Sequence, residues 1–341
     1  MNIPVEKYLA HALSFTPQEM RLQYEFEAWL PDEIIDCHAH CNLREHVAYV
    51  SNRALAHMLS TFTYYSIEDS LRVRALLFRG KKVRSLRFPK TFEGINHRAA
   101  NEYLLAESPS SDRIAVFGLP EDIGYTCGVL KHSRCSALKM YWSYVNPPAH
   151  LIYEFFRPEI LEEAQTLDIP IILHLPRMIV HSLGDLLQLL QDFPRLRVVL
   201  AHLGLSKLMV PGLSDAYGAI AANGNVMLDT ALNPSREVVS LAISCFGSER
   251  IMFGSDEPLN LIRSVAYAHP NRGQRIITEY PYHWVDPDEY RDFAHLAAQA
   301  THSHWQAVGA IKEAISELRP SEQEATKRQI FHDNAHTFFG F

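Results

Sequence analysis

The sequence lacks the features that mark membrane, secreted and nucleic-acid-binding proteins. No apolar run approaches the about eighteen residues of a membrane span, and the N-terminus does not join a basic segment to an apolar one. The net charge is −7, from 32 basic and 39 acidic residues with histidine counted as neutral, so no surface for a polyanion is indicated. We therefore expect a cytoplasmic protein that binds neither nucleic acid nor a membrane.

Cysteine is scarce, and linker composition is absent. The five cysteines are an odd number without a CxxC pair, which favours reduced thiols over a disulfide framework. No internal repeat, low-complexity tract or Gly/Ser linker divides the chain. With 341 residues, 47% of them hydrophobic, the chain is long enough for one large core. We predict a single domain over residues 1–341.

What the chain does contain is a series of short apolar, β-branched runs separated by helix-length segments. Several runs, such as 169–173, are almost entirely apolar, which is typical of parallel strands covered by helices. Eight β/α units predict a (β/α)8 TIM barrel with its catalytic face at the C-terminal ends of the strands. The predicted strands lie near 33–38, 72–78, 113–118, 136–141, 169–174, 196–202, 225–229 and 250–255.

Two connections exceed the usual length, after predicted strands 2 and 8. The second, from 257 to about 321, favours a subdomain core or subunit contact over a substrate cage, and we expect a homo-oligomer. The first is either a solvated helix face or a lid that attracts an anionic substrate. The basic residues of the first are Arg79, Lys81, Lys82, Arg84, Arg87 and Lys90. The aromatic residues of the second are Tyr280, Tyr282, Trp284, Tyr290, Phe293 and Trp305.

Metal-capable side chains end four of the apolar runs. His38 and His40 are two apart, so on a strand they share a face. His174, His202 and Asp256 end the fifth, sixth and eighth runs. A single buried histidine is usually a core residue, but all five side chains surround one cavity if the barrel closes. Imidazole plus carboxylate is the ligand set of a catalytic zinc or a similar divalent ion.

The order of motifs resembles the amidohydrolase superfamily, and more narrowly its amidohydrolase-2 branch of metal-dependent TIM-barrel enzymes. The resemblance covers the chain from about Ile34 to Phe341. It implies that His38, His40, His174 and Asp256 bind the metal, with His202 as a second-site ligand or a substrate-polarising group. The motifs are IIDCHAH at 34–40, ALKMY at 137–141, ILH at 172–174, VVLAHLG at 198–204, LDT at 228–230, FGSDEP at 253–258 and IFHDNA at 330–335.

Lys139, at the end of the fourth run, leaves alternatives open. In dinuclear relatives, a carboxylated lysine at this position bridges two metals. A plain lysine can instead hold a substrate carboxylate or phosphate as a point charge, or serve only as a solvated edge charge. We favour one ion, zinc, with a second ion if Lys139 is carboxylated. Tyr141 and Arg177 are further candidates for fixing a polar or anionic substrate.

The predicted chemistry is hydrolysis by an activated water. Asp256 can accept the proton of that water and pass it to the leaving group, and His202 can polarise the substrate carbonyl. We predict a hydrolase of a small, anionic ester, lactone or amide. The resembled branch also contains non-oxidative decarboxylases, so decarboxylation of a small unsaturated or aromatic acid is the alternative. A catalytically silent barrel with a structural role is a third interpretation, which the complete ligand set disfavours.

Overall fold

The computed structural model describes residues 5–48, 64–91, 94–145, 147–279 and 286–341. Eight parallel strands form one sheet in which each pairs with the next along the chain. The residues after the eighth strand run beside the first strand: the backbone N–H of Cys37 donates a hydrogen bond to the carbonyl of Phe253 at 2.9 Å. The sheet is therefore a nearly closed barrel, and the predicted (β/α)8 fold is confirmed. The strands are β1 Glu33–His40, β2 Lys82–Phe88, β3 Arg113–Phe117, β4 Cys135–Tyr141, β5 Ile171–His174, β6 Val198–Leu200, β7 Val226–Asp229 and β8 Ile251–Met252.

α-Helices alternate with the strands, and two further helices precede β1. None of the helices in the described ranges is both long and apolar enough to cross a membrane. All five cysteines are free. The described helices of more than four residues are α1 Val5–Ala12, α2 Pro17–Trp29, α3 Ile67–Leu77, α4 His97–Glu107, α5 Ile123–Leu130, α6 Pro158–Thr166, α7 Ile179–Asp192, α8 Leu213–Ala221, α9 Arg236–Phe246, α10 Pro287–Phe293, α11 Ser303–Ser316, α12 Pro320–Arg328 and α13 Asn334–Phe339.

The two faces of the barrel strands enter different parts of the core. Outward-facing side chains, such as Val116 and Leu173, pack with helix residues such as Ile160 and Leu186. The opposite faces fill the barrel interior, so both faces of a strand are buried and its sequence is almost wholly apolar. The interior residues are Ile35, Cys37, Leu86, Phe88, Ala115, Ala137, Ile172, Val199, Ala201, Met227 and Met252.

The prediction of the second strand at 72–78 is wrong, because those residues belong to α3 and its C-terminal end. Ser66 caps that helix: its side chain accepts a hydrogen bond from Asp69 N, and the Asp69 carboxylate accepts one from Ser66 N. The strand is Lys82–Phe88, whose three basic residues obscured it in the sequence. β2 ends at Phe88 and α4 begins at His97, so the predicted long connection does not follow the second strand.

The prediction that the basic run could form a lid is also wrong. Most of the run lies in β2 itself, where Arg87 is fully buried and its Nε lies 2.7 Å from Oδ2 of Asp112. Lys82 is exposed at the other end of the strand, beside Glu33. Lys90 is buried two residues beyond the strand. The run therefore neither covers the barrel mouth nor forms a solvated helix face.

The long connection after β8 carries a small sheet, as the aromatic composition predicted for a subdomain. Three antiparallel strands, β9 Arg263–His269, β10 Gly273–Thr278 and β11 Thr301–His302, pair in the order β10-β9-β11. Ile262 and Ile277 form a separate core here, against which Tyr290 and Phe293 pack. Trp305 lies in α11 and stacks on Phe26 of α2. Tyr280, Tyr282 and Trp284 lie outside the described residues.

Candidate active site

The ends of β1 and β8 bring three metal-capable side chains together. Nε2 of His40 lies 3.1 Å, and Nε2 of His38 3.5 Å, from Oδ1 of Asp256. The three ligand atoms all lie within 4.8 Å of one another, and all three residues are buried. Across the described ranges, no other group of three histidine, cysteine or acidic side chains meets that limit. We call these residues the ligand cluster.

Each of the four histidines of the site places its Nδ1 atom beside an oxygen atom that can accept a hydrogen bond but cannot donate one. A carbonyl or carboxylate oxygen in this position requires that Nδ1 carries the proton, which leaves a lone pair on Nε2. Such a partner also fixes the ring orientation, as metal-binding histidines require. The pairs are His38 with the Asp229 carboxylate (2.9 Å), His40 with the Pro89 carbonyl (3.0 Å), His174 with the Leu175 carbonyl (3.0 Å) and His202 with the Ala231 carbonyl (2.9 Å).

Two of the site residues have left-handed backbone conformations. The φ angles are 60° at Asp256 and 56° at His202, a region that costs free energy for residues with side chains. Hydrogen bonds hold the Asp256 segment there: Asp256 N donates to His38 O at 2.8 Å, and Ser255 N donates to Oδ1 of Asp36 at 2.9 Å. His202 N donates to Oδ1 of Asp229 at 2.8 Å. Such strain is common at functional sites, where it aims a side chain.

Glu257, the residue after Asp256, anchors the same segment from the other side. Its carbonyl accepts a hydrogen bond from His40 N at 2.7 Å. Its buried carboxyl group accepts from the Tyr65 hydroxyl at 2.5 Å and the Ser70 hydroxyl at 3.0 Å. Burial raises the pKa of Glu257 to about 8, although the charge of Arg87 opposes this. The ligand cluster therefore rests on a buried polar network.

Burial and mutual interaction set the charges of the site. Burial alone would raise the pKa of the Asp256 carboxyl, but His38, His40 and His202 hold it well below its usual value. Burial lowers the pKa of His40 and of His202 to about 4 in each case, against the attraction of Asp256. At neutral pH His40 and His202 are thus neutral imidazoles beside a carboxylate, which is the protonation state in which such groups bind a metal.

The geometry fits a divalent ion. Two ligand atoms at about 2.0–2.1 Å from a tetrahedral zinc lie about 3.3 Å apart. The separations of 3.1 and 3.5 Å between the Nε2 atoms and Oδ1 of Asp256 lie on either side of that value. Oδ1 of Asp256 is buried and has no hydrogen-bond partner among the described residues. A cation between these atoms would satisfy it.

The other predicted site residues lie around the cluster. The ring of His174 is half-buried, 5.1 Å from that of His202 and 4.6 Å from that of Tyr141, outside the group of three. Lys139 is 1% exposed, and its Nζ lies 5.2 Å from the centre of the Phe88 ring. That ring also packs against His40, at 4.5 Å between centres. His174, Tyr141 and Lys139 therefore lie at the same end of the barrel as the cluster.

Arg177 is placed differently. Its side chain is exposed, and its charge acts on Asp185 in α7, where it opposes the rise that burial causes in the pKa of that carboxyl. Burial lowers the pKa of Lys139 to about 8, against the attraction of Asp229 and Asp256. Lys139 is thus a much more deeply placed cation than Arg177.

Two residues near the cluster were missed by the sequence reasoning. Asp229 was recognised only as part of a motif, although it bonds both His38 and His202. Lys90 was placed in a basic run interpreted as either a solvated helix face or a lid, yet it is buried, and burial lowers its pKa to about 7 against the attraction of Asp256. The alternation of Leu86, Phe88 and Lys90 was the available signal, because residues two apart on a strand share a face.

Comparison with known proteins identifies the family of this chain. The sequence profile of the amidohydrolase family matches residues 139–341. Among curated proteins, no sequence matches the chain. Solved structures share the fold at low sequence identity. One is a probable 2-pyrone-4,6-dicarboxylic acid hydrolase from Acinetobacter baumannii with citric acid bound, with 15% identity, a TM-score of 0.59, and coverage of 90% of this chain and 99% of that chain.

Two decarboxylases have the same fold. The 5-carboxyvanillate decarboxylase from Novosphingobium aromaticivorans, complexed with manganese and a nitrobenzoic acid, is 12% identical, with a TM-score of 0.56 and coverage of 90% of this chain and 96% of that chain. A 2,6-dihydroxybenzoate decarboxylase in complex with 2,6-dihydroxybenzoate is 14% identical, with a TM-score of 0.56 and coverage of 91% and 100%. Since the family profile covers more than half of the chain, the protein belongs to the amidohydrolase family of metal-dependent enzymes.

Proposed function

We propose that the protein is a metal-dependent hydrolase that acts on a small, anionic ester, lactone or amide. One divalent ion, zinc, is held by His38, His40, His174 and Asp256. The distances within the ligand cluster support the first, second and fourth of these ligands. His174 supports the assignment through its Nδ1 bond to a carbonyl, which leaves its Nε2 lone pair available.

The observation that carries hydrolysis is the tautomer of His202. Its Nδ1 proton is donated to the Ala231 carbonyl, so Nε2 is a proton acceptor. That side chain lies 3.9 Å, Nε2 to Oδ2, from the Asp256 carboxylate. Hydrolysis requires that the attacking water loses a proton. His202 Nε2 and the Asp256 carboxylate are two neighbouring groups that can accept it.

The roles of the residues follow from these positions. A bound divalent ion supplies a Lewis acid and lowers the pKa of a coordinated water from about 15.7 toward 7. Asp256 accepts the proton of the attacking water and delivers it to the leaving group. Neutral His202 can only accept at Nε2, so donation of a hydrogen bond to the substrate oxygen would require that this atom first takes a proton from solvent, and the nearby Asp256 carboxylate would stabilise the resulting charge.

Lys139 and Tyr141 are the proposed substrate-binding residues within the cavity, with Arg177 at the rim. Nζ of Lys139 is buried without a hydrogen-bond partner in the described part of the chain, which suits a group that meets a carboxylate of the substrate. The same environment suits carboxylation of Lys139, which would add a second ion beside His174 and His202. Metal analysis at one or two ions per chain distinguishes these states.

Decarboxylation of a small unsaturated or aromatic acid is the second candidate. It requires a proton donor for the carbon that loses carbon dioxide, and an ammonium at Lys139, whose pKa is lowered to about 8 by burial, is such a donor inside the cavity. Two proteins with the same fold, decarboxylases of 5-carboxyvanillate and 2,6-dihydroxybenzoate, suggest substrates to test. A silent barrel is the least supported candidate, because the cluster is complete.

A substrate screen in isotopic water tests the proposal. The metal-loaded enzyme is incubated with a panel of lactones, esters and amides and a panel of aromatic and unsaturated acids. Hydrolysis places ¹⁸O from labelled water in the acid product. Decarboxylation instead releases carbon dioxide and places deuterium from D₂O on carbon. Asp256→Asn is the control, which should abolish either activity. Carbon dioxide release without ¹⁸O incorporation would reject the hydrolase.

The remaining parts of the proposal concern location and assembly. The free cysteines support a reducing compartment such as the cytoplasm. Exposed apolar side chains on two adjacent helices, Tyr24 of α2 at 80% exposure and Leu76 of α3 at 40%, support a homo-oligomer. Light scattering on the protein and on Tyr24→Glu tests this, because a dimer through this face should dissociate in the variant.

A further inference from the structure

Tyr65 connects the two strand ends that carry the ligand cluster. Its backbone pairs with that of Asn42, two residues beyond His40: Asn42 N donates to Tyr65 O at 2.9 Å, and Tyr65 N donates to Asn42 O at 3.0 Å. Its hydroxyl group donates to Oε1 of Glu257, the residue after Asp256, at 2.5 Å. One fully buried residue thus joins the segment after β1 to the segment after β8.

Ser70 holds the other oxygen of the same carboxyl group. Its hydroxyl donates to Oε2 of Glu257 at 3.0 Å, and its oxygen accepts a hydrogen bond from Nη1 of Arg87 at 2.8 Å. Because the guanidinium can only donate, the Ser70 proton is directed at Glu257. Both oxygens of this carboxyl group are therefore held from one segment of the chain, residues 65–70, which includes the first turn of α3.

That segment has a fixed position in the fold. Its helix begins with a capping box, and the backbone N–H of Ile67 donates to the Tyr103 hydroxyl of α4 at 3.0 Å. The guanidinium that directs Ser70 is itself fixed, since Nε of Arg87 lies 2.7 Å from Oδ2 of Asp112. A residue can hold a functional group only as precisely as it is held itself, so this support is what a positioning role requires.

The Asp256 segment needs such support because its backbone is strained. A φ of 60° persists at a residue with a side chain when the surrounding structure over-determines it. Main-chain bonds supply part of the constraint, from Asp256 N to His38 O and from His40 N to Glu257 O. The Glu257 side chain adds two more hydrogen bonds at the next residue.

A purely structural contact would not require polar groups at this place. Burying a carboxyl group is costly unless hydrogen bonds compensate it, and well-packed apolar side chains of similar volume often stabilise a core equally well. Directional hydrogen bonds instead specify one arrangement of the groups that they join. The polar contacts of Glu257 are therefore suited to fixing geometry more than to adding stability.

We propose that Tyr65 and Ser70 are positioning residues for the ligand cluster. Through the carboxyl group of Glu257 they hold Asp256 against the two histidines, at the separations that a divalent ion requires. The inference rests on the proposed function in one respect, since it takes the ligand cluster as the metal site. Both residues act through Glu257 and not as ligands.

Metal binding by variants that lack one hydroxyl group tests this. Tyr65→Phe and Ser70→Ala each remove one hydrogen bond to Glu257. Tyr267→Phe is the matched control, because the Tyr267 hydroxyl donates to Oε1 of Glu289, also at 2.5 Å, between the small sheet and α10. Competition with a chelator measures zinc affinity. The visible spectrum of the cobalt(II)-loaded protein reports the arrangement of the ligands, and thermal melting of the metal-free proteins reports stability.

We expect Tyr65→Phe to lower zinc affinity about tenfold or more, as for other residues that support metal ligands. Ser70→Ala should lower it by a smaller factor, because the Tyr65 hydrogen bond remains. The cobalt spectrum should change in both variants. Tyr267→Phe should also lose thermal stability, because a similar hydrogen bond is lost, but it should keep the zinc affinity and cobalt spectrum of the wild type.

A Tyr65→Phe protein with the zinc affinity and cobalt spectrum of the wild type would overturn the inference, whatever its thermal stability. Equal losses of zinc affinity in Tyr65→Phe and Tyr267→Phe would also overturn it, since reduced stability alone would then explain the effect. If Tyr65→Phe does not fold, Ser70→Ala decides by the same two metal measurements. A wild type that binds neither zinc nor cobalt would instead reject the proposed function, and this inference with it.

Discussion

The chain contains two His-x-His pairs that share burial but differ in what surrounds them. His38 and His40 end a barrel strand, and His302 and His304 lie where β11 passes into α11. All four residues are at most 7% exposed. Burial lowers the pKa of His40 and His302 to about 4, and that of His304 to about 3. Neither spacing nor burial nor a lowered pKa therefore distinguishes a metal site from a core histidine pair.

The difference is in the partners. The rings of His38 and His40 both present Nε2 to one Asp256 oxygen. Near His302, the Glu19 carboxylate already accepts two hydrogen bonds from Arg263, at 2.8 and 3.0 Å. A carboxylate that is already paired with a guanidinium is a poor metal ligand.

His304 is turned toward aromatic rings. Its ring centre lies 4.9 Å from that of Phe78 and 4.7 Å from that of Trp305. β1 directs His38 and His40 to one point. His302 and His304, at the start of α11, point to different surroundings. The two pairs thus differ in that the first converges on a carboxylate that is not paired with a guanidinium, as Glu19 is.

The largest expected effect is on bound metal. Changing His38 and His40 together to Ala should reduce the zinc content from about one ion per chain to background, because two of the proposed ligands are lost. The same double change at His302 and His304 should leave the zinc content unchanged. Elemental analysis of both purified variants, with circular dichroism to establish folding, measures this. Equal metal in the wild type and the His38/His40 variant would contradict the assignment.

His202 provides the next test, at the level of turnover. With a substrate from the screen, His202→Asn should lower kcat about 100-fold or more while the metal content stays nearly intact, because the residue acts on the substrate more than on the ion. His181→Asn, on the exposed side of α7, is the matched control and should change neither. A parallel loss of metal and activity in His202→Asn would make His202 a ligand and favour two ions.

Asp229 provides a further test of the difference between the two pairs, because its carboxylate accepts the Nδ1 proton of His38 and so leaves Nε2 free to bind a metal. Asp229→Asn keeps the shape but removes the charge that faces Nδ1 of His38 at 2.9 Å. We expect zinc affinity to fall by roughly 10- to 100-fold, as for other residues that orient metal-binding histidines. Chelator competition measures this, with the exposed Asp215→Asn as control. Unchanged affinity in Asp229→Asn would mean that the ring is held without it.

The barrel and the ligand cluster were predictable because both depend on local pattern. Apolar runs such as Ile171–His174 end in their functional residue, and β/α alternation places those ends together. The second strand was not predictable in this way, since Arg84 and Arg87 interrupt its apolar pattern. The charge of Arg87 is compensated by Asp112, a contact that only the folded chain supplies.

The partners of the histidines were equally hidden. The Pro89 and Ala231 carbonyls fix the tautomers of His40 and His202, yet a carbonyl is present at every residue. Their roles depend on the path of the loops after β2 and β7. The left-handed backbone of Asp256 is likewise a product of tertiary contacts and not of local preference. Sequence thus indicated which side chains meet, and the fold determines in which protonation state they do so.

The smallest expected effect concerns the second pair and its response to acid. The pKa of His302 is lowered from 6.5 to about 4 in the folded protein, so between these pH values the unfolded chain binds a proton that the folded chain does not. Stability must then fall as the pH falls through this window, by up to about 3 kcal/mol from this residue. His302→Gln removes the contribution, so the metal-free variant should lose less stability between pH 7 and pH 4.5 than the metal-free wild type. Thermal melting at both pH values measures the difference, and the exposed His336→Gln should behave as the wild type. Equal losses of stability in all three proteins would mean that His302 does not stay neutral in the folded core. The pairs His38/His40 and His302/His304 would then share burial but not a lowered pKa.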